Sequence, residues 1–73
     1  MKPYEQAKRK LEAMGGTRIN QKKANMILRG TTGYIWCDNG RYGWSTRKSV
    51  CYRFNTPRQA LDDILRYFEE GGY

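Results

Sequence analysis

The side chains best suited to recognition lie between Tyr34 and Arg53, where Tyr34, Trp36, Arg41 and Arg53 stand among residues that favour β-strands. Indole and phenol rings offer flat faces for stacking. A guanidinium is a permanent charge with a planar fork of donors, and it can bind O6 and N7 of guanine together. Covalent chemistry is poorly served by the same chain. It contains no His, so the usual general base near neutral pH is missing. Asp38 beside Arg41 reads as an ion pair across a hairpin rather than a catalytic carboxylate. The two cysteines, Cys37 and Cys51, are expected on opposite sheet faces, where they can neither share a metal nor form an internal disulfide. The expectation is therefore a binding protein with no enzymatic activity, metal or cofactor.

Those residues must be positioned by a β-hairpin. Asn39-Gly40 separates two runs rich in aromatics, and both residues accept the positive φ of a two-residue type I′ turn. Counting outward pairs Asp38 with Arg41, Cys37 with Tyr42, Trp36 with Gly43, Ile35 with Trp44 and Tyr34 with Ser45. Side chains alternate across a strand, so Ile35, Cys37, Tyr42 and Trp44 form one face, read as core. Tyr34, Trp36, Asp38, Arg41, Gly43 and Ser45 form the other. A third strand covers Val50–Phe54. If Val50, Tyr52 and Phe54 all face the core, a three-residue loop over Arg47, Lys48 and Ser49 sets Thr46 against Val50, Trp44 against Tyr52 and Tyr42 against Phe54. The outer face then has Arg53 beside Trp36 and Gly43, and Cys51 beside Tyr34 and Ser45.

Helices flank the strands. Tyr4, Ala7, Leu11 and Met14 recur at helical spacing from Pro3 onward, and Gly15-Gly16 ends that segment. Its other face carries Lys8, Arg9 and Lys10, with Glu5 spaced to pair with Arg9. Asn20 can cap a second helix running from about Gln21 to Arg29, with Ile19 and Ala24 as a hydrophobic staple. A short strand around residues 25 to 29 is the competing reading. Thr56-Pro57-Arg58-Gln59 is a capping-box start for a third helix, with Ala60, Leu61, Ile64, Leu65 and Phe68 as its buried stripe and Gly71-Gly72 as its stop. Asp62, Asp63, Glu69 and Glu70 are expected to face away from the sheet. The fold class is α+β, in the order α-α-β-β-β-α. The chain is read as one small domain over 1–73, comprising a basic helical segment at 1–30 and a sheet-plus-helix core at 31–70.

Charge sharpens the binding reading. Fourteen Lys and Arg oppose seven Asp and Glu, for a net +7. Residues 1–33 contribute +6, residues 34–54 +3 and residues 55–73 −2. A basic front with an acidic back suits a polyanion. No signal-peptide pattern, lipidation motif or long apolar run is present, so no membrane partner and a cytoplasmic location are expected.

Three strands followed by a helix, with Trp and Arg on the sheet and the segment Phe54-Asn55-Thr56-Pro57-Arg58-Gln59-Ala60 leading into the helix, resemble the AP2-type DNA-binding domain. They are also similar to the related arm-binding domains of phage and transposon integrases. The resemblance spans roughly Thr32 to Leu65. It implies a sheet laid in a DNA major groove, with Trp36, Arg41 and Arg53 where base contacts occur. Taken with the charge pattern, the expected nucleic-acid-binding set is Tyr34, Trp36, Arg41, Arg47, Lys48 and Arg53, with phosphate contacts from Lys8, Arg9, Lys22 and Lys23. Double-stranded DNA is favoured over RNA. Two other targets fit a similar composition: an acidic surface of a host enzyme, bound by a small phage-type inhibitor or regulator, and single-stranded RNA stacked on Tyr34 and Trp36.

Overall fold

In the computed structural model, which describes residues 2–16 and 18–72, the chain runs α1 (Pro3–Met14), α2 (Gln21–Ile27), β1 (Tyr34–Asp38), β2 (Arg41–Ser45), β3 (Val50–Phe54) and α3 (Pro57–Glu69). It is an α+β protein with one open antiparallel sheet in the order β1-β2-β3. The first hairpin has the expected register in all five pairs, from Tyr34 with Ser45 to Asp38 with Arg41. Asn39 at φ 51° and Gly40 at φ 78° supply the positive angles that its turn requires.

The second hairpin differs from expectation. Ser45 pairs with Val50, Trp44 with Cys51 and Gly43 with Tyr52, and a bulge then restores the pair Tyr42 with Phe54. Thr46–Ser49 is a four-residue loop organised by one side chain. The Thr46 hydroxyl accepts hydrogen bonds from the Lys48 and Ser49 backbone N–H groups at 3.3 and 3.1 Å, and the Thr46 N–H donates to the Ser49 carbonyl at 2.8 Å. That hydroxyl-centred turn fixes the longer loop. Val50 and Tyr52 consequently stand on the outer face, while Cys51 joins Trp44 on the inner one. Arg53 is the extra residue at the bulge, and Phe54 returns to the inner face, where it is half-buried.

The inner face carries α3. Thr56 accepts from the Gln59 N–H at 3.2 Å, and the Gln59 side chain accepts from the Asn55 N–H, one residue before the position an ideal capping box would satisfy. Ala60, Leu61, Ile64, Leu65 and Phe68 are all buried, as the stripe predicts. They share one core with Ala7, Leu11, Ile19, Ala24, Ile27, Leu28, Ile35 and Trp44, so α1 and α2 belong to the same packing unit as the sheet. Cys37 points to this side by register but is exposed, so it does not help to hold α3.

α2 forms as a helix, ending at Ile27 rather than Arg29. Asn20 caps it by accepting from the Lys23 N–H at 2.8 Å. It sits on the free edge of β1. The Asn25 amide donates to the Ile35 carbonyl at 2.9 Å and accepts from the Ile35 N–H at 2.7 Å, imitating a neighbouring strand, while Gln21 donates to the same carbonyl at 3.3 Å. An otherwise open sheet edge is thereby capped at Ile35. α1 packs on α3 and α2 without touching the sheet. Tyr4 stacks near Phe68 at 6.5 Å, and Arg58 donates to the Gly15 carbonyl at 2.9 Å.

Candidate nucleic-acid interface

Because every helix packs on the inner side or at the β1 edge, the outer face of the sheet is left open. Its central row is Trp36, Gly43 and Tyr52. Trp36 is half-buried, and its indole N–H donates to the Ser45 hydroxyl at 2.9 Å. That bond orients the ring against the sheet. Tyr52, 64% exposed, leans toward it with ring centroids 6.0 Å apart and planes 41° off parallel. Gly43 lies beneath them. A Cβ placed there would stand 2.7 Å from the Trp36 ring, 2.8 Å from the Tyr52 Cβ and 2.8 Å from the Cys51 carbonyl oxygen. The Trp36 ring, the Tyr52 Cβ and the Cys51 carbonyl occupy the space that any other residue would need.

Tyr34, Ser45 and Val50 make the next row, with Tyr34 54% and Val50 57% exposed. At the hairpin tip lie Asp38 and Arg41. They are register partners but form no ion pair among the described residues, contrary to the expected cross-hairpin bridge, so neither charge is neutralised by the other. Arg53 reaches the same region from the bulge. Together with Trp36, Arg41 and Tyr52 it lines a shallow groove of about 830 Å³.

The remaining residues of the expected set are distributed unevenly. Arg47 and Lys48 are exposed in the second loop, at the Ser45–Val50 end of the sheet. On α2, Gln21 and Asn25 face the β1 edge while Ala24, Ile27 and Leu28 face the core. At about 100° per residue, Lys22 and the exposed Met26 then continue the outer face past β1, whereas Lys23 lies on the far side of the helix. Lys8 and Arg9 belong to α1, which does not meet the sheet. Lys8 instead pairs with Glu69 of α3 at 3.2 Å, and the expected Glu5–Arg9 pair does not form among the described residues.

Acidic charge is held behind the sheet. Asp62 lies 3.7 Å from Arg58, and Glu70 lies 3.9 Å from Arg66. Asp63 does not face away as expected; it turns toward the sheet and accepts from the Trp44 indole N–H at 2.8 Å. Exposed pairs of this kind contribute little to stability. On the three strands themselves Asp38 is the one carboxylate.

The altered register also revises the cysteine geometry. Cys37 and Cys51 both belong to the inner side, not to opposite faces, and both are free. With β2 between them their strands are about 10 Å apart, beyond the span of a disulfide. Among the described residues no three His, Cys, Asp or Glu side chains come together as metal ligands, and no helix is long and apolar enough to cross a membrane.

Sequence reasoning missed Tyr52 and Val50 on this face. The signal was the hydroxyl of Thr46 followed two and three residues later by N–H groups it could accept, which favours a four-residue loop. Comparison with family models, curated proteins and solved structures finds no match to the chain.

Proposed function

We propose that the protein binds nucleic acid through the outer face of its sheet. The observation that carries this reading is the open aromatic row, Trp36 and Tyr52 over Gly43 with Tyr34 beside it. Arg41 and Arg53 border it, and one carboxylate is the only acidic group on those strands. Arginines at the rim supply phosphate contacts or base-edge contacts, and rings supply stacking. Lys22, Arg47 and Lys48 extend the positive border at two edges of the face. Lys8 and Arg9 are too far round the molecule to share a contact centred on Trp36, so their charge acts at long range, through attraction of the polyanion.

A gel-shift series over duplex DNA, single-stranded DNA and RNA, at about 50 and about 200 mM salt, tests the reading. Counterion release requires affinity to fall steeply across that range, by about tenfold or more for several phosphate contacts. Absence of binding to all three at the lower salt would sink it. A second reading is favoured by the outer edge of β3, which receives no hydrogen bond from the described residues and exposes Val50 and Tyr52. Such an edge can accept a strand from another protein, as an inhibitor or regulator docking on a host enzyme would use it. Salt-insensitive capture of a protein partner, with no nucleic-acid affinity, would favour that reading.

A further inference from the structure

Resting on the nucleic-acid reading, we infer that the outer face takes a single strand whose unstacked bases lie on Trp36 and Tyr52, rather than an intact duplex. The centre of the face decides the matter. In a duplex every base face is covered by its neighbours, and only base edges at the groove floor and the phosphates are offered. A sheet that reads those edges needs long polar side chains along its middle row. Here the middle row is Trp36, Gly43 and Tyr52, with no polar side chain longer than the Tyr52 phenol. The guanidinium expected there, that of Arg53, is displaced to the bulge by the register of the second hairpin.

A single strand offers what this row can hold. Its bases expose π-faces that stack on aromatic side chains with little regard to sequence. The three strands present a surface about 13 Å long and about 10 Å wide, room for two or three bases. Tyr34 and Trp36 are two residues apart on one strand, about 7 Å, which is close to the spacing of successive bases in an extended strand. The platform is also held ready. The Trp36 ring is tethered through its N–H to Ser45, and the absent side chain at Gly43 lets that ring lie down on the sheet with the exposed Tyr52 ring tilted beside it. Arg41 and Arg53 at one end and Arg47 in the second loop are placed to meet phosphates as the strand enters and leaves. The exposed Asp38 and Asn39 at the hairpin tip add an acceptor and a donor for base edges.

Fluorescence anisotropy with three labelled probes tests this: an oligothymidylate of about twelve nucleotides, the duplex of equal length, and an abasic strand with the same phosphates but no bases. The oligothymidylate is expected to bind about tenfold or more tighter than either of the others at about 50 mM salt. Trp36→Leu and Tyr52→Leu keep apolar side chains beside Gly43 while removing the π-face, and each is expected to weaken oligothymidylate binding about tenfold, with a native circular dichroism spectrum and a cooperative melt above the assay temperature confirming the fold. Equal or tighter binding of the duplex or the abasic strand, or full binding by both Leu variants, overturns the single-strand inference while leaving nucleic-acid binding in place. No binding to any of the three probes overturns the nucleic-acid reading itself.

Discussion

The two tryptophans sit on adjacent strands and point through opposite faces of the same sheet, yet they are used in different ways. Trp44 is 3% exposed, donates to Asp63 and packs against Tyr67 with ring centroids 4.9 Å apart. It joins the sheet to α3. Trp36 has a neighbouring ring and a hydroxyl partner on the next strand, and it is only partly buried. Its ring partner and its hydrogen-bond partner both lie within the sheet. A small chain that leaves a large ring only partly buried forgoes burial it could otherwise use, since a domain of this length hides only about 60% of its unfolded surface. The contrast separates the residue that holds the fold from the residue available to a partner.

Substitutions can break or sharpen that contrast. Trp44→Ala should have the largest effect, a loss of about 3–5 kcal/mol in urea unfolding, because it opens a cavity between sheet and helix. With typical domain stabilities of about 5–15 kcal/mol, much of the folded population would be lost; a change below about 1 kcal/mol would show that Trp44 is not the join. Gly43→Ala comes next, at about 1–3 kcal/mol, since its methyl meets the Cys51 carbonyl, the Trp36 ring and the Tyr52 Cβ. It should also weaken oligonucleotide binding by tilting Trp36 and Tyr52 off the sheet, a coupling that Trp44 variants tested below their melting point should lack. Asp63→Ala leaves the buried indole N–H without its acceptor, for about 1–2 kcal/mol and no change in binding to the opposite face. Trp36→Ala should cost about 1–3 kcal/mol, less than Trp44→Ala because the ring is only partly buried, while removing most of the oligonucleotide affinity. A Trp36 variant as unstable as the Trp44 one would erase the distinction.

The inner half of this design could be read from residue order. Asn39-Gly40 dictates the first hairpin and its register, and Thr56-Pro57 with the Ala60–Phe68 stripe dictates where α3 starts and which side it buries. Tyr34 and Trp36 follow as outward residues from the alternation alone. The third strand could not be read in the same way. Val-Cys-Tyr-Arg-Phe places an apolar residue inward in either register, and the assumption that Tyr52 and Val50 must be buried chose the wrong one. The core had already been filled from α1 and α2, whose positions depend on contacts such as the Asn25 amide on Ile35 that no local pattern announces. For the same reason Lys8 and Arg9 could be identified as exposed cations without revealing that α1 turns away from the sheet.

The bulge at Arg53 has a consequence for how the chain tolerates changes in length. The register slip opens in the Thr46–Ser49 loop and closes at Arg53, so the offset is confined between them and Tyr42 still meets Phe54. Everything after Phe54, including the α3 cap and its buried stripe, is insulated from the length of the second loop. Residues gained or lost in that interval would change which side chains of β3 reach solvent without moving the helix. The composition of the binding row can thus vary by insertion and deletion while the scaffold behind it stays fixed.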